Sequence, residues 1–306
     1  MDSRDTRGMT NALTNEQPGG PAPEVHGFFD RATNTISYVV REPMGPACAI
    51  VDPVLDFEAA SGRVAHRSAG AVVDFVRREG LRVEWIIETH VHADHLSAAP
   101  WVKQQVGGRI AIGQRIDVVQ DTFARIFNEG PEFRRVGSQF DHLFRDGERY
   151  RIGALEAMAW HTPGHTPACM THVIGDAAFV GDTLFMPDGG SARADFPGGD
   201  ARTLYRSMRR VLALPPDTRL FMCHDYGPGG REIRWQTSVA EQRAANIHVR
   251  DGVDEEAYVA LREARDATLS MPALILPSLQ VNMKAGVLPE PESNGTRYFK
   301  LPINAL

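Results

Sequence analysis

Cysteine is scarce: Cys48, Cys169 and Cys223 are the only three in 306 residues. They form no CxxC pair and no even set, so no disulfide framework is expected and a reducing interior fits. No apolar run reaches the roughly 18 residues that a membrane span needs, so none is expected. No dense block of lysine or arginine occurs, and the formal net charge is −6. Nucleic acid is therefore not an expected partner. The opening residues, Met1 to Pro23, lack the apolar stretch of a signal peptide. They are polar and rich in Gly, Pro and Asn, so residues 1–24 are expected to be disordered. Together these absences predict a cytoplasmic protein.

What is present is enough for a sizeable core, at 42% hydrophobic residues. Residues 25–306 are expected to form a single α/β domain with an extended C-terminal tail. Histidine is also sparse, at 11 residues, yet three fall within the run Thr89-His90-Val91-His92-Ala93-Asp94-His95. An apolar, β-prone run, Val83 to Ile87, precedes it, and Leu96 to Val106 reads as a helix. The cluster thus sits on a strand-to-helix loop, where side chains can converge.

Short β-prone runs at Val25–Phe29 and Thr35–Arg41 read as a hairpin. Ala47–Val51 is a further strand, stopped by Asp52-Pro53. Ala71 to Val76 has helical spacing, closed by Gly80. Arg109–Ile112 reads as a strand and Ile116–Phe127 as a helix. Gly130–Tyr150 is charged and loop-like. Leu155–Trp160 is a strand leading into Gly164-His165-Thr166, and Met170–Ile174 and Ala177–Val180 are two more. The latter ends at Gly181-Asp182-Thr183. A Gly-rich loop follows over residues 186–199, then a helix over Ala201–Ala213. Arg219–Met222 is a strand ending at Cys223-His224-Asp225-Tyr226. Ser238–Ile247 and Glu255–Ser270 read as helices, and Pro277–Leu306 as extended chain over the surface.

His90, His165, Asp182 and His224 each follow a strand and open a loop. Strand ends are where α/β sandwiches place chemistry. Imidazole and carboxylate suit zinc, iron or nickel. Two metal arrangements are open. In the first, His90, His92 and His165 hold one ion and Asp94, His95 and His224 a second, with Asp182 bridging; a pair of ions activates a hydroxide for hydrolysis. In the second, His90, His165 and Asp182 hold a single ion on one face, as in non-haem iron oxygenases. His92, Asp94, His95 and His224 then orient the ligands or form a vestigial second site. His161 is read as bracing its loop, and Cys223 as a small buried hydrophobe.

These four ordered motifs resemble the metallo-β-lactamase superfamily over roughly Val25 to Arg250. The resemblance implies an αββα sandwich of two facing mixed β-sheets flanked by helices. Within it the chain looks most like the persulfide dioxygenases and their bacterial β-lactamase-like branch. The runs that carry this are Gly181 to Asp188, Ala192 to Gly199, and the tail Ile275 to Asn282 with Pro302-Ile303-Asn304. The chain departs from that pattern at Gly189 and Ala194, where bacterial relatives often have an aromatic residue and a cysteine. The resemblance implies one Fe(II) per chain held by His90, His165 and Asp182. It implies oxidation of glutathione persulfide by O2 and water to sulfite and glutathione, and a homodimer. Tyr226 and His224 are the candidate catalytic side chains. Glutathione carries two carboxylates, so Arg193, Arg231 and Arg234 are the expected substrate-binding cations. No rhodanese-type domain is apparent, so any sulfurtransferase partner is expected to be a separate chain. The alternative is a glyoxalase II-like thiolester hydrolase with two zinc ions. Against it, the region after Tyr226 is short and Pro-rich. A metal-holding sensor with a dead site is the non-enzymatic alternative.

Overall fold

The computed structural model describes residues 18–305. Up to residue 17, the expected disordered segment 1–24 lies outside the described residues.

In chain order the strands and helices are β1 (Glu24–Asp30), β2 (Thr35–Arg41), β3 (Ala47–Val51), β4 (Val54–Glu58), β5 (Arg63–Ala65), α1 (Arg67–Arg78), β6 (Arg82–Ile87), β7 (Leu96–Ser97), α2 (Ala99–Val106), β8 (Arg109–Gly113), α3 (Ile116–Ile126), β9 (His142–Phe144), β10 (Glu148–Ile152), β11 (Leu155–His161), β12 (Met170–Ile174), β13 (Ala177–Phe179), α4 (Ala201–Val211), β14 (Arg219–Phe221), β15 (Gln236–Ser238), α5 (Val239–Ala245), α6 (Glu255–Asp266) and α7 (Ile275–Asn282). They build two mixed six-stranded sheets, ordered β1-β2-β3-β6-β8-β9 and β10-β11-β12-β13-β14-β15, and a small sheet β5-β4-β7.

Side chains of a strand point alternately to its two faces, and both faces of these sheets are covered. In β2, Ile36, Tyr38 and Val40 join the layer between the sheets, with Phe179 and Phe221 of the second sheet. Val39 points the other way, against Val72 and Val76 of α1 and Phe123 of α3. In β11, Ala157 and Ala159 face inward. Met158 and Trp160 face outward, against Leu204 and Met208 of α4 and Tyr258 of α6. The result is the four-layered αββα sandwich.

Three expectations are corrected. The charged stretch Gly130–Tyr150 contains β9 and the start of β10. The signal there is alternation: Tyr150 and Ile152 are buried while Arg149 and Arg151 are exposed. Leu96–Ser97 is a short strand paired with β4, and the helix begins at Ala99. Ile275–Asn282, expected to be extended, is helix α7, which buries Leu279 and Val281. Pro277 lies in its first turn, where the missing N–H costs nothing.

His172 of β12 is fully buried between Tyr150 and Phe144, its Nδ1 3.0 Å from the Tyr150 hydroxyl. Burial lowers its pKa from 6.5 to about 4. The unfolded chain therefore binds this proton first as pH falls. The neutral ring's contribution is full above pH 6.5 and is lost as pH falls toward 4, by up to ~3 kcal/mol. Urea unfolding at pH 7 and pH 4.5 should show this loss in the native chain, and a smaller loss in His172→Phe.

Candidate metal centre

Strand direction brings the site together. β3 and β6 run parallel, so Asp52 and the Thr89–His95 loop leave the first sheet at one edge. β13 and β14 run parallel, and β11 points the same way through antiparallel β12, so His165, Asp182 and His224 leave the second sheet at that edge. Thr35 joins the halves: Ile36 N–H donates to Cys223 O at 2.7 Å, and the Thr35 hydroxyl lies 3.3 Å from His95 Nδ1 and 3.4 Å from His224 Nδ1. Gly181, at φ +50°, turns the chain beneath the cluster; a Cβ there would lie 2.8 Å from the Thr89 hydroxyl.

His90, His165 and Asp182 present donor atoms that all lie within 4.8 Å of one another. Asp182 Oδ2 is 3.8 Å from His90 Nε2 and 3.5 Å from His165 Nε2. The far nitrogens are held: His90 Nδ1 lies 3.0 Å from the Thr89 hydroxyl, and His165 Nδ1 donates to Arg193 O at 2.8 Å. Both Nε2 atoms therefore face the centre, the orientation that metal-binding imidazoles need. Burial, with His92 and His165 beside it, holds the His90 pKa well down and keeps the ring neutral, as a ligand must be. His90 Nε2 and Asp182 Oδ1 are buried with no hydrogen-bond partner. Buried polar atoms rarely go unpaired; a cation at this point satisfies them, so the residues fit a metal ion.

The neighbouring residues form a second set. Asp94 Oδ2 accepts from His95 Nδ1 at 3.1 Å and lies 3.5 Å from His224 Nε2. His224 Nε2 is also 3.4 Å from Asp182 Oδ1. His92 Nδ1, His95 Nε2 and His224 Nε2 have no hydrogen-bond partner. His92 Nε2 is anchored from below, 2.9 Å from Asp52 Oδ1 and 3.4 Å from Glu88 Oε2. Burial pulls the His92 pKa down, but Asp52 and Glu88 outweigh it and hold it well above 6.5. Every donor for a second ion is thus at hand.

An open cleft of about 500 Å³ leads to His165 and Asp182, walled by Phe185, Tyr226, Arg262 and Arg265 among others. Tyr226 is 57% exposed and stacks on His224, ring centroids 6.0 Å apart. The three expected cations do not gather at the cleft. Arg193 lines the cleft, but its guanidinium is taken up by Asp195, at 2.6 and 2.7 Å, and by Ser270 O. Arg231 joins Asp188 to Asp225 and is not among the residues that wall the cleft. Arg234 is exposed and engages Asp225 through its backbone N–H. His161 Nε2 donates to Pro167 O at 2.8 Å, bracing the His165 loop. The three thiols are buried, and burial pushes Cys48 and Cys169 up to about 12, so both stay protonated.

Several contributors escaped the sequence reading. By its sequence context Asp52 is only a strand stop, yet it sits at φ +49°, a costly conformation outside glycine. Asn282 of α7 donates to the carbonyls of His92 and His95 at 2.8 and 2.7 Å, tying the tail to the cluster. Arg262 and Arg265 were hidden in a charged helix.

The family model that matches residues 32–224, more than half of the chain, is that of the metallo-beta-lactamase superfamily. The chain belongs to this superfamily. It is 57% identical to a probable metallo-hydrolase of Burkholderia pseudomallei (strain 1710b), covering 92% of this chain and 99% of that one. It is 44% identical to glyoxylase B2 of Dictyostelium discoideum, over 92% and 98% of the two chains. It is 29% identical to the mitochondrial persulfide dioxygenase ETHE1 of Homo sapiens, over 85% and 87%. Three further relatives are longer, and the chain spans 65–67% of their length. Among solved structures, ETHE1 from Myxococcus xanthus superposes with a TM-score of 0.69 at 26% identity, covering 86% of this chain and all of that one. The buried His and Asp clusters are those of a metal-dependent enzyme of the metallo-beta-lactamase fold. Among the described residues no helix is long and apolar enough to cross a membrane.

Asp52 accepts from Thr89 N–H at 2.7 Å, the Thr89 hydroxyl at 2.8 Å and His92 Nε2 at 2.9 Å. Asp52→Ala should therefore cost the metal-free chain about 3–5 kcal/mol, because it strands a buried partner of the pair. Urea unfolding of the variant measures this.

Proposed function

We propose that the chain is a persulfide dioxygenase with a single iron, oxidising glutathione persulfide with O2 and water to sulfite and glutathione. The observation that carries this reading is the convergence of His90 Nε2, His165 Nε2 and Asp182. Two imidazoles and one carboxylate on one face are the donor set of non-haem Fe(II) oxygenases. Iron bound there would supply adjacent sites for the persulfide and for O2. The fold likeness to Myxococcus xanthus ETHE1 and the relation to the human enzyme support it.

The chain's own residues do the rest. Thr89 and the Arg193 carbonyl hold the two imidazoles in place. Asp94 accepts from His95 and lies against His224, keeping both rings beside the centre. Phe185 and Tyr226 wall the approach. Three arginines line the cleft, and their charges differ in availability: Arg193 is paired with Asp195 and Arg262 with Asp266, whereas Arg265 is exposed with no ion pair among the described residues. Arg265 is the cation left to take a substrate carboxylate.

A second reading is a thiolester hydrolase with two metal ions. By name, the nearer relatives weigh toward it: a probable metallo-hydrolase and a glyoxylase stand above the persulfide dioxygenase in identity. The unpaired donor atoms of His92, His95 and His224 also favour it. Two ions would supply an activated hydroxide.

Metal content and two assays separate the readings. One iron per chain, and oxygen uptake with glutathione persulfide, are expected. Two zinc ions, and glutathione release from S-lactoylglutathione without oxygen uptake, would replace the first reading by the second. Under the single-iron reading, Asp182→Ala loses metal and activity together, whereas His224→Ala keeps its iron. Arg265→Ala should raise KM for the glutathione-carried substrate about tenfold with kcat little changed, the worth of one charge-assisted hydrogen bond.

A further inference from the structure

A buried ion pair stands behind the Gly-rich loop. Arg262 and Asp266, one turn apart on α6, are 1% and 6% exposed, with Arg262 Nη2 2.6 Å from Asp266 Oδ1. Burying such a pair costs several kcal/mol per ion in lost hydration, and apolar residues of like volume often do as well or better for stability. Stability alone therefore gives little reason for the pair.

Its other contacts supply one. Arg262 Nη1 donates to Ser191 O at 3.1 Å, and Asp266 Oδ2 accepts from Ala194 N–H at 2.9 Å. The two bonds grip the loop on either side of Ala192-Arg193. The carbonyl between them, Arg193 O, is the acceptor of His165 Nδ1. The same loop is held at its start, where His248 Nδ1 accepts from Ser191 N–H at 3.0 Å and Asn246 donates to Gly190 O at 3.0 Å.

We propose that Arg262 and Asp266 are positioning residues that hold the Arg193 carbonyl in place and so fix the orientation of His165 at the metal centre. The strap rests on His165 being a metal ligand, and is indifferent to whether one ion or two are bound. It reaches the centre from the helical layer outside the second sheet, through two α6 side chains and then the loop backbone. A partner at the far nitrogen of a ligating imidazole is typically worth 10–100-fold in metal affinity.

The test uses Co(II) alone, without substrate, titrated into the metal-free full chain and followed by its visible spectrum. Arg262→Met combined with Asp266→Leu removes the pair and also leaves Ser191 O and Ala194 N–H without these partners, so Tm should fall modestly, while affinity for the ion falls 10–100-fold and the spectrum shifts. Val259→Ala, on the same helix and packed in the apolar layer without a bond to the loop, should lower Tm and keep the affinity. The strap is overturned if the double variant binds Co(II) like the native chain, or if Val259→Ala loses affinity to the same degree. Should the double variant not fold, Asp266→Asn and Asp266→Ala carry the same test. The asparagine keeps an acceptor for Ala194 N–H and should lose less affinity than the alanine; equal affinity in both, at the native level, overturns the strap. A native chain that takes up no ion removes the metal-centre reading, and the strap with it.

Discussion

The chain buries lone pairs that no group of its own satisfies. His90 Nε2, His92 Nδ1, His95 Nε2, His224 Nε2 and Asp182 Oδ1 all lie out of solvent without a hydrogen-bond partner. Each such atom costs on the order of 1–3 kcal/mol. A fold keeps so many in one place only if something else repays the cost, and metal binding does so for those atoms that become ligands. The opposite ring nitrogens are tied down: Thr89 holds His90, Asp52 holds His92, Asp94 holds His95, Thr35 holds His224, and the Arg193 carbonyl holds His165. The site is thus unsatisfied toward its middle and well satisfied everywhere else, which links metal uptake to stability.

The two sheets make this arrangement possible. Parallel neighbours in each sheet bring strand ends to a common edge, so the donors arrive on short loops from a rigid base. Outside that base, the cleft is tuned by charge pairing. Asp195, Asp266 and the pair Asp188 and Asp225 neutralise arginines near the opening, leaving Arg265 with its charge available. The carboxylates around the cleft matter as much as the arginines, because they decide which cation a ligand meets.

The donors were legible from sequence because each follows a β-prone run and opens a turn; histidine clustering at residues 90–95 made the edge visible before any pairing was known. The αββα layers were legible from alternation in strands such as β2 and β11. What was not legible depended on distance in the chain. Asp52 looked like a strand stop because its partners, Thr89 and His92, are about 40 positions away. Arg193 and Arg231 looked free because a sequence does not show which carboxylate a guanidinium will meet. The helix at Ile275–Asn282 was missed because Pro277 and short apolar spacing resemble extended chain, whereas burial against α3 and the cluster loop makes a helix the better fit.

The acceptor for His165 is a main-chain carbonyl, which every amino acid carries. The residue at position 193 can therefore be exchanged without removing that acceptor. Changes that retune ligand preference at the cleft wall need not disturb the inorganic core. A lineage built this way can drift between substrates while its metal chemistry stays in place, a freedom that a side-chain acceptor at the same spot would deny it.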